Sequence, residues 1–388
     1  MDNLKNIPAS TSILVFVLFL QFVQPGIAYS QRALPVPDHI VVAFLENHAY
    51  QQIIGSDAAP HINALAVDTL SALFTKSYGV EHPSQPNYLE FYSGSNQGVT
   101  DDLLITTCPF TTPNLGRQLI DAGKSFITYS EDLPEVGFNG DNSGTYARKH
   151  NPVTNWMGTG INQVPDSINQ PFTTFPFSDF TLLPTVCIVV PNQANDMHNG
   201  TDPARIIAGD AWIYDNLNNY IEWAKTHNSL FILTWDEDNY VSSNRIVTIF
   251  VGQMIKPGEY SDSICHYNIL RTIEDIYGLP YAGAAADAFP VTSCWDVNDG
   301  INIPIQEANM LSVFPNPANG DFSILIKSSS GSKMKNVQIC NALGYKVFEQ
   351  GISGSIDEEI RLKEFNSGVY FVKSWDGKTM DTEKLIVR

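Results

Sequence analysis

Basic residues are scarce. Of 388 residues, 22 are Lys or Arg against 41 Asp or Glu, a formal net charge of −19 with a pI near 4.6. Such a surface repels phosphate backbones and excludes nucleic-acid binding through a basic groove. Cysteines number only five, an odd count that prevents complete internal pairing, and none forms a CxxC pair. Thiol chemistry is therefore not the activity. Cys265 and Cys294 bracket a helical stretch and a loop and are the expected disulfide in an oxidising compartment. Cys187, inside the run Val186 to Val190, reads as a small buried hydrophobe. Beyond residue 28 no apolar run approaches the ~20 residues that a membrane span requires, so no transmembrane span is expected in the mature protein.

Apolar content, by contrast, is ordinary at 43%, enough to bury a sizeable core. The length suggests two or three folded units at ~100–200 residues each. Residues 1–28 read as a secretory signal, with Lys5 near the start, an apolar run from Ile13 to Leu20, and the small residues Gly26 and Ala28 at the cleavage positions. Charge then divides the rest. Residues 311–388 carry ten Lys/Arg and nine Asp/Glu, whereas the preceding 310 carry 12 against 32, a break that marks two units with different surfaces. The expected organisation is a signal (1–28), a catalytic domain (30–295), a polar linker (296–308) and a small terminal domain (309–388).

Within 30–295, short β-branched runs alternate with helical patterns. His39–Leu45, Thr185–Val190, Ser229–Trp235 and Arg245–Val251 read as strands buried on both faces. His61–Leu73, Asn114–Ala122, Ala204–Thr226 and Tyr267–Tyr277 read as helices. That alternation predicts a doubly wound α/β fold with a mostly parallel sheet, whose working residues sit beyond the carboxyl ends of the strands. Those ends are unusually rich. The first strand runs into Glu46-Asn47-His48, the second into Asn195-Asp196-Met197-His198, and the third into Asp236-Glu237-Asp238-Asn239. The terminal unit has alternating strands at Phe322–Lys327, Asn336–Asn341, Gly368–Trp375 and Lys384–Val387, the pattern of a small antiparallel sandwich without catalytic candidates.

Glu46, Asn47, Asp236 and Glu237 offer oxygen ligands suited to one hard divalent cation, which is also the simplest source of positive charge in an acidic protein handling an anion. Taken alone, Asp236–Asn239 reads as a solvated turn; the matching Glu46-Asn47 at another strand end turns the reading to a metal site. Ser84, in Glu81-His82-Pro83-Ser84-Gln85-Pro86-Asn87-Tyr88, precedes a helix with proline in its first turn. There its hydroxyl is either a nucleophile beside an anion-attracting helix terminus or an ordinary N-cap; local sequence leaves both open. His48, His82, His150, His198 and His266 fall in polar loops, and Arg148-Lys149-His150 is the one basic cluster of the acidic domain. It is either a phosphate contact or a solvated turn.

Together these motifs resemble the bacterial phosphoesterase family of secreted acid phosphatases and phospholipases C, in the alkaline-phosphatase-like superfamily. The resemblance rests on Glu46-Asn47-His48, His82 to Tyr88, Tyr146 to Pro152, Asn195 to His198, Thr234 to Asp238, and Cys265 to Gly278, in order across about 38–295. It implies phosphoester hydrolysis through a phosphoserine on Ser84, with Glu46, Asn47, Asp236 and Glu237 around one metal. It implies that His82, His150 and His198 bind phosphoryl oxygens or protonate the leaving group, with Asn87, Arg148, Lys149 and His266 on the substrate. Some relatives have Asp where Glu237 stands. The Cys/Ser-x-Pro-x-Arg pattern of sulfatases is missing its arginine here, which favours phosphate. The expected substrate is a phosphorylated small molecule or a phospholipid; Phe172, Phe175, Phe177 and Phe180 are candidates to meet an acyl chain, or core. The alternatives are a phospholipase C-type diesterase and a non-catalytic ligand-binding protein. Separately, Phe314–Gly320, Ala342–Val347, Ser367–Lys373 and Lys384–Arg388 resemble the C-terminal sorting domain of the type IX secretion system. That implies passage through the periplasm, recognition by that machinery, and a secreted or surface-held product.

Overall fold

The computed structural model describes residues 34–296, 311–326, 335–341, 345–352, 358–375 and 380–388. The expected signal at 1–28, nearly all of the linker and the first two residues of the tail lie outside them. The chain divides into two compact units, Met1–Val297 and Asn298–Arg388.

The first unit runs β1 (His39–Leu45), α1 (Tyr50–Ile53), α2 (Pro60–Ala66), β2 (Ser71–Tyr78), α3 (Ser84–Ser93), α4 (Leu115–Asp121) and β3 (Phe126–Ser130). A two-residue hairpin, β4 (Asn142–Ser143) and β5 (Tyr146–Ala147), precedes β6 (Asn169–Pro171) and β7 (Val186–Val190). Then follow α5 (Ala204–Ala224), β8 (Ser229–Trp235), β9 (Arg245–Val251), β10 (Gly258–Cys265) and α6 (His266–Tyr277). Eight strands form one sheet in the order β10-β2-β9-β8-β1-β7-β3-β6. Only β9 runs against its neighbours; β1 pairs in parallel with both β7 and β8.

Alternate residues of β1 explain the layering. Ile40, Val42 and Phe44 enter a core with Tyr88, Leu89 and Phe91 of α3, Leu115 and Leu119 of α4, and Ile269 and Ile273 of α6. Val41, Ala43 and Leu45 enter a second core with Ile62 of α2 and Ile213, Leu217 and Ile221 of α5. Both faces are thus covered, and the strands are continuously apolar as a two-sided burial demands. The four expected strands are present. The helix expected over His61–Leu73 stops at Ala66, and Ser71 starts a strand instead: Asp68 folds back on the chain, its side chain accepting from Leu70 N at 2.9 Å. The edge strand β10 was hidden because most of its side chains face solvent, leaving no apolar period to read. The expected Cys265–Cys294 disulfide is absent, and all five cysteines are free. Cys265 caps α6 with its sulfur 3.3 Å from Asn268 Oδ1, while Cys294 is buried in the core. Cys187 is a buried hydrophobe as expected, its thiol pKa pushed up by burial.

The second unit contains β11 (Leu311–Asn319), β12 (Asp321–Ile326), β13 (Lys335–Asn341), β14 (Lys346–Ile352), β15 (Glu358–Leu362), β16 (Gly368–Trp375) and β17 (Met380–Val387). Antiparallel ladders β11-β12-β15 and β14-β13-β16-β17 meet where Ala318 of β11 pairs in parallel with Val387. Phe322, Ile324, Ile339, Val372 and Leu385 share its core. Among the described residues no helix is long and apolar enough to cross a membrane.

Candidate active site

The carboxyl edge of the large sheet collects the chemistry. Glu46 and Asn47 leave β1, and Asp196 and His198 lie in the loop after β7. Asp236, Glu237 and Asp238 leave β8, and Lys149 and His150 occupy a short 3₁₀ turn after β5. Asn47 sits in the left-handed region at φ 51°, an asparagine-tolerated conformation, and its backbone N–H donates to Asp236 Oδ1 at 3.1 Å. Gly79 is required where the chain passes this corner, since a Cβ there would stand 2.7 Å from the Asp236 carbonyl.

Ser84 is the first residue of α3; Pro83 holds the cap position. The serine is therefore not a cap, and its buried hydroxyl faces acidic and amide oxygens instead. Its Oγ lies 3.1 Å from Glu46 Oε2, 3.2 Å from Glu237 Oε1 and 3.4 Å from Asn47 Oδ1. One hydroxyl donates one proton, so it cannot satisfy three acceptors. The Tyr88 hydroxyl donates to Glu46 Oε1. His150, stacked on Tyr88 with ring centroids 5.4 Å apart, lies 3.3 Å from Glu46 Oε2 and 3.4 Å from Asp196 Oδ2. His82 hydrogen-bonds Glu237 through Nδ1 and lies 3.5 Å from Asp238 Oδ1 through Nε2. His198 lies beyond His150, ring centroids 5.9 Å apart, and its backbone N–H donates to Asp196 Oδ1 at 2.8 Å.

The electrostatics of the cluster are those of crowded, buried acids. Burial, then the charges of Asp236 and Asp196, hold Glu46 well above the usual carboxylate range. Asp196 is likewise raised well above its ordinary value, by burial first. Burial pushes Asp236 up to about 6, and burial with the Asp236 charge pushes Glu237 up to about 9. Burial also lowers His82, His198 and, most strongly, His150. His150 Nε2, Asp196 Oδ2 and Asp236 Oδ2 are buried without a hydrogen-bond partner. Oxygen-rich, crowded and mutually repulsive, the donor set fits a hard divalent cation. Glu46, His150 and Asp196 also present ligand atoms within 4.8 Å of one another.

The remaining expected residues divide. Lys149 reaches the site, its Nζ on Asp102 Oδ2 at 2.7 Å, and it is coupled to Glu46 and Asp236. Asn87 instead spends its side chain on the preceding loop, accepting from Val80 N and donating to the Glu81 and Pro83 carbonyls at 2.8–3.1 Å. Arg148 turns away, to Asn139 Oδ1 at 2.9 Å and Cys108 Sγ at 3.3 Å. His266 is buried behind the site and contacts the Asp236 carbonyl at 2.6 Å. His48 bridges the Glu46 carbonyl and Asp202. Phe172 and Phe175 are core, Phe180 packs against that core, and Phe177 is exposed. Sequence reasoning gave no role to Asp196 or Tyr88. The first was hidden in an asparagine-rich loop; the second reads as an ordinary helix residue.

Residues 57–280 match the model of the phosphoesterase family, and 312–388 match that of the secretion system C-terminal sorting domain. A phosphatidylinositol-3-phosphatase of Mycobacterium tuberculosis is 42% identical over 275 residues, covering 70% of this chain and 87% of that protein. An acid phosphatase of Aspergillus fumigatus is 29% identical over 285 residues, with 68% of this chain and 62% of that protein covered. A protein in the alkaline phosphatase superfamily from Vibrio parahaemolyticus superposes with a TM-score of 0.45 at 10% identity, over 91% of this chain and 83% of that one.

Proposed function

The chain belongs to the phosphoesterase family, and from that premise we propose that this phosphoric ester hydrolase cleaves phosphate monoesters through a phosphorylated Ser84. The observation that carries the reading is the Ser84 hydroxyl, buried at the start of α3 and encircled by Glu46, Asn47 and Glu237 at 3.1–3.4 Å. Glu46, Asn47, Asp236 and Glu237 would hold the metal, with Ser84 beside them. Bound there, a hard divalent cation offsets the carboxylate charge and lowers the pKa of the serine hydroxyl.

The chain's own residues do the rest. Ser84 gives its proton to the facing carboxylate of Glu46 or Glu237 as its Oγ attacks phosphorus and the bond to the leaving alcohol breaks, and the alcohol takes a proton from the histidine side of the site. His150, with Nε2 turned toward the Ser84 carboxylates, suits a phosphoryl contact, and His198, nearer solvent, suits the leaving oxygen. Lys149 and the positive end of α3 favour the anionic ester. His82, with both nitrogens on carboxylates, orients Glu237. Water then attacks phosphorus and gives one proton back to the histidine that protonated the alcohol, while the Ser84–phosphorus bond breaks, phosphate leaves and Ser84 Oγ recovers its proton from the carboxylate. Burial disfavours the protonated forms of His150 and His198.

The sorting domain supports export to the medium or the cell surface, with the secretion machinery as its partner. The testing experiment is 4-nitrophenyl phosphate hydrolysis from pH 5 to 9, with and without EDTA, beside 4-nitrophenyl phosphorylcholine. Chelator-sensitive, metal-restored turnover of the monoester is expected. Turnover of the phosphorylcholine ester alone would move the assignment to a diesterase, and silence on both from metal-loaded protein would move it to a binding protein.

A further inference from the structure

The loop after β8 is more elaborate than a ligand-bearing turn requires. Asp238 is fully buried, yet its carboxylate is spent on backbone, accepting from Tyr240 N at 2.7 Å, Ser242 N at 2.8 Å and Asn244 N at 3.0 Å. Asn244 returns the link through Oδ1 to Asp238 N at 2.7 Å and ties the loop to the Glu81 carbonyl at 3.0 Å. Three non-glycine residues here, Tyr240, Ser243 and Asn244, stand at φ 56° to 65°. For a bulky aromatic that conformation is unfavourable and persists only where surrounding bonds impose it.

What the loop displays is Tyr240. One face of the ring stacks on His82, centroids 3.9 Å apart and planes 21° apart; the residue is nonetheless 70% exposed. His82 contacts Glu237, which contacts Ser84, so the ring stands two side chains from the nucleophile. Its phenol senses the site as well: its pKa is raised by burial, then by the charges of Glu237, Asp102 and Asp236. The apolar Val241, 63% exposed, follows it on the same loop. A rigidly held aromatic with a free face beside a phosphoester site is a stacking platform, not core filler.

Building on the phosphoester reading above, we propose that Tyr240 is the specificity-determining residue for the leaving group, selecting esters whose alcohol carries a flat aromatic or sugar-like ring over acyclic ones. The ring of the leaving group lies against the free face of Tyr240 while the phosphoryl group reaches Ser84. Stacking of this kind discriminates by roughly an order of magnitude.

The test compares kcat/KM for 4-nitrophenyl phosphate, glucose 1-phosphate and glycerol 3-phosphate in the metal-loaded full chain, wild type against Tyr240→Ala, Tyr240→Leu and Tyr240→Phe. Expected is a fall of about 10-fold in the ring-to-acyclic ratio for Ala and Leu, with Phe within about twofold of wild type. A fall shared by the aryl and sugar esters assigns ring stacking in general; a fall for the aryl ester alone narrows the class to aromatic alcohols. Equal losses on all three esters would show that Tyr240 only steadies His82, and unchanged ratios would show that it meets no leaving group; either result overturns the proposal while the phosphoesterase reading stands. Wild-type silence on every ester overturns both. Leu keeps bulk on the loop, so a misfolded Ala variant does not block the reading.

Discussion

Asn87 stands one helical turn after Ser84 and binds the very backbone that delivers it. Its amide donates to the carbonyls of Glu81 and Pro83 at 2.8 and 3.1 Å, and its oxygen accepts from Val80 and Glu81 N–H at 2.8 and 3.2 Å. Four bonds from one buried side chain close the 80–83 loop onto α3, so the position of the serine hydroxyl is set by a residue whose own side chain is spent on that loop.

Asn87→Ala should therefore act through positioning. Leaving the Val80, Glu81 and Pro83 backbone groups without partners costs on the order of 2–4 kcal/mol. Turnover should drop about 10- to 100-fold through kcat with little change in KM. Paired denaturation curves and steady-state kinetics check both. A rise in KM alone would return Asn87 to direct substrate contact.

Ser84→Ala removes the proposed nucleophile while leaving the carboxylates in place. Activity should fall by at least about 10³-fold, with metal content and melting temperature near wild type, measured by elemental analysis and thermal melts.

Chelation should destabilise as well as inactivate. Glu46, Asp196, Asp236 and Glu237 are buried together, and stripping a cation leaves their repulsion uncompensated. At a metal concentration about 100 times Kd the bound ion contributes about 2.7 kcal/mol, which corresponds to roughly 5–10 °C in Tm for a unit of this size. Melts with EDTA and with added Mg²⁺, Ca²⁺, Mn²⁺ or Zn²⁺ read the shift and rank the metals. An EDTA-treated protein of unchanged Tm and activity would remove the metal from the scheme.

Much of this is legible in the amino-acid sequence. Uniformly apolar strands such as Val186–Val190 announce a sheet buried on both faces, and carboxylates and amides at the ends of β1, β7 and β8, which lie side by side in the sheet, announce a site there. Burial class is written into composition, so β1, β7, β8 and β9 were readable. Strand β10 was not, because its exposed side chains leave no period. Contacts between residues distant in sequence are equally silent. Nothing in Asn195-Asp196-Met197-His198 says that Asp196 faces His150, and Arg148 and Lys149, adjacent in sequence, point in different directions. Cys265 and Cys294 show the converse error: suggestive spacing along the chain without convergence in space.

The last prediction concerns a carboxyl away from the site. Glu274 of α6 is fully buried; Oε1 accepts from Ala282 N at 2.7 Å, and Oε2 has no hydrogen-bond partner. Burial pushes its pKa up to about 7 from an ordinary 4.5. A raised carboxyl pKa means the fold prefers the neutral form. There is then no penalty below about pH 4.5; stability is lost as pH climbs toward 7 and the deficit is complete above it, on the order of 2–3 kcal/mol. Glu274→Gln keeps the acceptor for Ala282 and cannot ionise. Relative to wild type it should be neutral near pH 4.5 and stabilising at pH 8, by several degrees in Tm. Thermal melts of both proteins at the two pH values decide the matter, and a Tm difference that does not change with pH would show that Glu274 does not titrate in this range.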